Sequence, residues 1–307
     1  MHCFSKFFKE GSGKTMTCKG KLLVGSNFLA ISKFPNWLGI VVGVISCCLA
    51  FNDSKGQETL STPKFIICYN PSVPVEEFEA YDLVVVDFSY PSKSVAHLKR
   101  QGKTVFGYLS LGKVQKQRPF FPAIQAMGIG CEQDSQYPDS FQIDASDSRW
   151  QDLVLESIVP KMKKSGFDGI FLDNLDDLKI RNLEDQSVAL IKRIRASNPD
   201  LKLMANRGLE YSARFVSSVD YLLLESCFLQ NGEKRKASDS DWALQWLTKA
   251  KRVNSQLKGV AIDYVSRREQ ALTRSQIQLI GEVRSSHLKN GLISCVSFED
   301  LQSVPRF

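Results

Sequence analysis

Histidine is scarce in this 307-residue chain: His2, His97 and His287 are the only three, and no pair of them has a metal-ligand spacing. Cysteine forms no CxxC pair. These absences argue against a zinc or other transition-metal centre and against thiol–imidazole catalysis. Beyond the first fifty residues the cysteines are Cys68, Cys131, Cys227 and Cys295. Cys68, Cys227 and Cys295 sit in or beside apolar stretches, where a free thiol packs as a small hydrophobe. A Gly-rich phosphate loop is also missing. Asn70-Pro71-Ser72 follows the first apolar strand instead, which speaks against a doubly wound nucleotide-binding sheet. Internal repeats and low-complexity tracts are absent.

Net charge is small where it matters. The formal +7 divides unevenly: residues 1–50 carry six Lys and one Glu, leaving 34 basic and 32 acidic residues for the rest. A near-neutral body has no electrostatic footprint for nucleic acid. Lys234-Arg235-Lys236 is a local basic patch in a loop. A continuous apolar run of spanning length is lacking too. Trp37–Phe51 is apolar and uncharged, but at fifteen residues it falls short of the ~20 that a membrane-spanning helix needs. With basic residues on its N-terminal side and small residues at its end, it matches the apolar core of an export signal. Cleavage after Ala50 is one expectation. Val44-Ile45-Ser46-Cys47 resembles a lipoprotein box and would place a lipid on Cys47, and an uncleaved membrane anchor is the third option. Translation from Met16 would give the signal a more ordinary length. The organisation expected is therefore a signal or anchor over 1–50, a linker over 51–64 and a domain over 65–307, with the product secreted or held at the cell envelope.

What is present is a regular alternation of short apolar strands with longer amphipathic stretches. The strands read as Phe65–Tyr69, Leu83–Phe88, Val105–Ser110, Gly169–Asn174, Leu201–Asn206, Tyr221–Ser226, Gly259–Tyr264 and Leu292–Phe298. Helices are expected over Ser92–Gln101, Asp147–Ser165, Leu183–Ser197, Tyr211–Ser218, Asp241–Ser255 and Arg274–Leu288, several with a Gly or Pro stop. Asp147 and Asp241 stand where they would cap helices, and Pro160 should kink or shorten the one it interrupts. Eight β–α units in about 245 residues predict a parallel (β/α)8 TIM barrel. Two inter-strand segments, Gly112–Phe141 and Phe228–Ser240, exceed what a simple barrel needs and should wall the cleft at its C-terminal face.

The strand ends carry the chemistry. Four strands run three apolar residues straight into a carboxylate: Asp87, Asp173, Glu225 and Asp263. Burying a carboxylate without partners is costly, so the repetition points to a site at the barrel mouth. The competing reading, that a strand-end Asp caps the next helix, weighs most on Asp87 and Asp263 and least on Glu225, because Glu caps poorly. Without metal or nucleophile–imidazole pairs, the chemistry falls to carboxylates. Two of them across a cleft equip a protein for glycoside hydrolysis, one donating a proton and one staying ionised. Tyr69, Tyr90, Tyr108, Phe228, Tyr264 and Phe298 lie beside these ends and could stack on sugar faces, or simply pack the core.

Phe167-Asp168-Gly169-Ile170-Phe171-Leu172-Asp173-Asn174-Leu175-Asp176 resembles the signature of glycoside hydrolase family 114, barrel enzymes similar to endo-α-1,4-polygalactosaminidase. Tyr108–Gly112, Ile143-Asp144 to Trp150, Asn206-Arg207-Gly208 and Leu224–Phe228 resemble further pieces of the family pattern, in order along the chain. The resemblance implies an endo-acting glycosidase with Asp173 as nucleophile and Glu225 as acid/base in a retaining reaction. It implies a polysaccharide substrate of the α-linked galactosamine or galactose type and no cofactor. Asp87, Tyr69, Tyr108, Asn174, Asp176, Asn206, Asp263 and Tyr264 would bind the sugar. One departure stands out: Lys113 occupies a position where the family usually has Glu. With Arg118 nearby, it would suit a neutral, N-acetylated or acidic sugar better than a free amine. It also keeps open an alternative reading, a barrel that binds polysaccharide without cleaving it.

Overall fold

Short runs of fully buried apolar residues, each closed by a polar one, build the architecture. In the computed structural model, which describes residues 63–135 and 137–307, these runs form eight parallel strands. They are β1 (Phe65–Cys68), β2 (Leu83–Asp87), β3 (Thr104–Ser110), β4 (Gly169–Asp173), β5 (Lys202–Asn206), β6 (Tyr221–Glu225), β7 (Lys258–Ser266) and β8 (Ile293–Phe298). Each pairs only with its sequence neighbours, so strand order in space follows the chain and does not reverse partway as it does in a doubly wound sheet. Strands covered on both faces read as continuous hydrophobic runs, and Ile66, Val84, Val85, Phe171, Leu203 and Leu222 are all fully buried. The sheet curls until its ends meet. Beyond β8, Leu301 adopts a left-handed conformation (φ 53°) and its carbonyl accepts the Tyr69 N–H after β1 at 2.7 Å. The fold is a nearly closed TIM-type barrel.

Close packing sets some residues. Gly169 opens β4 opposite Phe106, and a Cβ there would meet the Phe106 ring and the Lys202 carbonyl oxygen at about 2.5 Å. A side chain is excluded so that Phe106 can fill the barrel interior.

The expected helices form, with informative differences. Asp147 caps its helix by accepting the Arg149 N–H at 2.9 Å. Pro160 lacks an N–H to close an α turn, and the chain absorbs this with a π turn over Val154–Ile158 between α segments Ser148–Leu153 and Val159–Lys164. Asp241 is not a cap, because that helix begins earlier, at Ala237. Two 3-10 turns, Leu209–Arg214 and Val216–Ser218, replace the helix expected at 211–218. A short helix at Leu175–Ile180 directly follows β4.

Both long segments leave the C-terminal end of the barrel. The first folds into a three-stranded antiparallel sheet (Lys113–Gln115, Cys131–Gln133, Ser140–Ile143) with a short helix, Phe121–Ala126. The second makes a small hairpin, Leu229–Gln230 with Glu233–Lys234, around Asn231-Gly232. Both turn residues have positive φ (52° and 80°), as a tight hairpin turn demands. Among the described residues the main core lies between Phe65 and Val304. Cys68, Cys131, Cys227 and Cys295 are free thiols. Among the described residues no helix is long and apolar enough to cross a membrane. The expected signal, cleavage and lipidation positions lie outside the described residues.

Candidate active site

Three consecutive strands end at one point. Asp173 closes β4, Asn206 closes β5 and Glu225 closes β6. The residue after each, Asn174 (φ 63°), Arg207 (φ 61°) and Ser226 (φ 51°), is left-handed although none is glycine. Such a conformation costs roughly 1–2 kcal/mol per residue and concentrates at functional sites. Here it turns the chain sharply off each strand, leaving the last side chain directed into the barrel mouth.

The amide of Asn206 joins the two carboxylates. Its Nδ2 donates to Asp173 Oδ1 at 2.8 Å and to Glu225 Oε2 at 3.0 Å. Two carboxylate oxygens around one atom require that atom to be the amino nitrogen. A tyrosine holds the far oxygen of each acid: Tyr108 donates to Asp173 Oδ2 at 2.8 Å, and Tyr264 donates to Glu225 Oε1 at 2.7 Å. Asp173 also receives the Asn174 backbone N–H. It is 8 % exposed, while Glu225 is half-buried and more open to the mouth. Burial first, then the charge of Glu225, push the Asp173 carboxyl up to about 6, against three hydrogen bonds that favour its anion.

The other sequence-predicted residues divide. Asn174 donates to Ser110 Oγ at 2.8 Å and braces the loop under Asp173. Tyr69 packs edge-on to Tyr108, ring centroids 4.8 Å apart, in the same layer. Asp87 accepts the Ser89 N–H and hydroxyl on Oδ1 and the Arg118 guanidinium on Oδ2 at 2.5 Å. That guanidinium lies 5.5 Å from the centre of the Tyr108 ring, so Asp87 and Arg118 together back the tyrosine that holds Asp173. Asp176 is spent on the β5 exit, accepting Gly208 N–H at 2.9 Å and pairing with Arg207 at 2.6 Å.

Two expectations are corrected. Asp263 does not line the cleft: it is fully buried, accepts the Phe228 and Leu229 N–H groups, and sits 2.6 Å from His287 Nε2. Adjacent strand residues point to opposite faces, so when Tyr264 turns inward to Glu225, Asp263 must turn outward. Lys113 does not present a cation to the sugar either. Its ammonium is buried between Asp134 (2.8 Å) and Asp177 (2.7 Å), pinning the inserted sheet to the helix after β4. Desolvation raises the Asp177 carboxyl and the lysine opposes that shift. One positive charge between two carboxylates leaves the triad no cationic surplus. Tyr90 and Phe298 serve as core. Glu299, buried just after β8, escaped the strand-end pattern because Ser297 interrupts its apolar run. Among the described residues no cluster of three His, Cys, Asp or Glu could hold a metal.

The barrel fold recurs among solved glycoside hydrolase structures. The glycoside hydrolase domain of PelA from Pseudomonas aeruginosa superimposes with a TM-score of 0.65 at 23% identity, covering 78% of this chain and 96% of that one. Aspergillus fumigatus Ega3, solved in complex with galactosamine, gives a TM-score of 0.61 at 15% identity, covering 79% and 93%. No curated protein sequence matches the chain. The family pattern itself runs from residue 52 to residue 298, and the chain belongs to glycoside-hydrolase family GH114.

Proposed function

We propose that this chain is an exported, endo-acting glycosidase that cleaves α-linked galactosamine-type polysaccharide with retention of configuration. The observation that carries the mechanism is the shared amide. Oxygens 2.8 and 3.0 Å from the one Asn206 nitrogen stand no more than about 5.8 Å apart. Retaining glycosidases hold their carboxyl groups about 5–5.5 Å apart, whereas inverting ones leave about 6.5–9.5 Å for a water. Asp173, with the Asn206 amide, the Tyr108 hydroxyl and Asn174 donating to its carboxylate, is suited to attack the anomeric carbon and to leave again. Glu225, half-open at the mouth, protonates the departing oxygen and then takes the proton of the incoming water.

The substrate class follows from charge. With Lys113 and Arg118 each neutralised by carboxylates, the mouth presents no free cation from these two positions, and its two central acids favour a cationic amino sugar. The galactosamine in the Ega3 structure supports the same choice. The non-cleaving alternative loses the feature that recommended it, because Lys113 does not face the sugar.

The test is release of oligosaccharides from de-acetylated α-1,4-linked polygalactosamine, followed by NMR of the first anomer formed. The α-anomer should appear first, and Asp173→Asn and Glu225→Gln should each lose several orders of magnitude in rate. Initial β-anomer would overturn retention. Undiminished release by either variant would overturn the residue assignment.

A further inference from the structure

In a parallel barrel every strand starts at the same end, and every connecting helix returns the chain there. On that floor, opposite the catalytic mouth, stand Lys64, Lys164, Lys202, Arg252, Lys258 and Lys289, all exposed. Lys64 precedes β1, Lys202 and Lys258 open β5 and β7, and the other three end helices. Among the described residues none of the six has a carboxylate within ion-pair distance. Of the floor's acids, Asp168, Asp200 and Asp220 are already paired, with Lys99, Lys163 and Arg195, and Asp82 accepts the Lys64 backbone N–H at 2.7 Å. The helix dipole accounts for a basic residue at each helix C-terminus. It does not account for Lys64, Lys202 and Lys258, which lie at strand starts.

A basic floor on a nearly neutral body makes the molecule electrically polar, positive at the floor and relatively acidic at the mouth. The chain also enters β1 from the floor. The apolar stretch Trp37–Phe51 lies eleven residues upstream of Pro63, a length that spans at most roughly 40 Å. Whatever surface receives that stretch therefore lies within reach of the floor. We infer that the floor docks on an anionic phospholipid bilayer, with the catalytic mouth facing away from it towards the polymer. Clustered Lys and Arg recognise acidic head groups through charge, and that attraction fades beyond about one Debye length, ~8–10 Å at physiological salt.

The experiment uses residues 52–307, which hold the core of the described residues and the family pattern, and so omits Trp37–Phe51. Its failure would thus leave the export and hydrolase readings standing. Co-sedimentation with phosphatidylcholine vesicles is compared with vesicles containing roughly one-third phosphatidylglycerol. Partitioning should be at least tenfold stronger on the anionic vesicles at about 0.1 M salt and be lost at about 0.5 M. Lys164→Glu/Lys202→Glu/Arg252→Glu should reduce it at least tenfold with polymer cleavage unchanged. Lys93→Glu/Arg268→Glu/Arg274→Glu, the same charge change at the mouth end, should leave it intact. Equal loss in both triple variants would overturn the assignment of the floor. Equal binding to neutral vesicles, or binding to soluble polyphosphate with none to vesicles, would overturn the lipid surface. The lipid and salt comparisons on the unmodified sequence decide the matter even if a triple variant fails to fold.

Discussion

Replacing Asp173 by Asn should cost several orders of magnitude in activity and yet raise stability relative to the wild type progressively as pH climbs. The folded carboxyl is raised from 3.8 to about 6 by burial and by Glu225. A raised folded pKa contributes stability that is fully present below pH ~4 and lost as pH climbs through ~6. At about 1.4 kcal/mol per unit, the loss amounts to roughly 3 kcal/mol by pH 8. Asn cannot titrate, so the variant escapes that loss. The hydrogen bonds it makes or fails to make with Asn206 and Tyr108 add a constant that does not change with pH. The stability difference, variant minus wild type, should therefore grow by roughly 3 kcal/mol between pH 4 and pH 8. For a domain of this size that corresponds to roughly 6–12 °C in Tm. Thermal melts of residues 52–307 at one-unit intervals across this window measure it directly. A difference that stays flat, or shrinks as pH rises, would refute both the buried-charge argument and the coupling to Glu225.

Because Asp173 must be ionised to attack, kcat/KM should fall below pH ~6. Tyr108→Phe removes a donor that favours the anion, so the acid limb of the profile should move to higher pH as activity drops about tenfold or more. Azide and an activated aryl galactosaminide separate the two acids: Glu225→Ala should be rescued with an α-azide product and Asp173→Ala with a β-azide, read by NMR. The reverse pattern would exchange their roles. Lys113→Met would leave Asp134 and Asp177 buried together without their cation, costing about 3–5 kcal/mol in urea unfolding. A loss below 1 kcal/mol would show that water reaches the triad.

Much of the barrel was legible because its strands are locally encoded. Gly169–Asp173 and Tyr221–Glu225 are apolar runs whose burial on both faces leaves one reading, and the spacing between runs implies helices and parallel pairing. The same runs marked Asp173 and Glu225, because a carboxylate ending such a run needs a reason. The inserted sheet was not legible as a sheet. Strands of three or four residues such as Lys113–Gln115 carry too little pattern to register, and they exist through pairing with partners far along the chain.

The limits of sequence are clearest at Asp263 and Lys113. Asp263 and Tyr264 look equally well placed at a strand end, but alternation along the strand lets only one face the mouth, and only the folded register shows which. Lys113 reads as a cation at the site until Asp134 and Asp177 are seen around it. Order along the chain determined which segments are buried and where the acids fall, since burial depends on local composition. Which way each acid points, and what neutralises or raises it, was decided only by tertiary structure. Those properties depend on residues such as Asn206 and Tyr264, tens of positions from the carboxylates they hold.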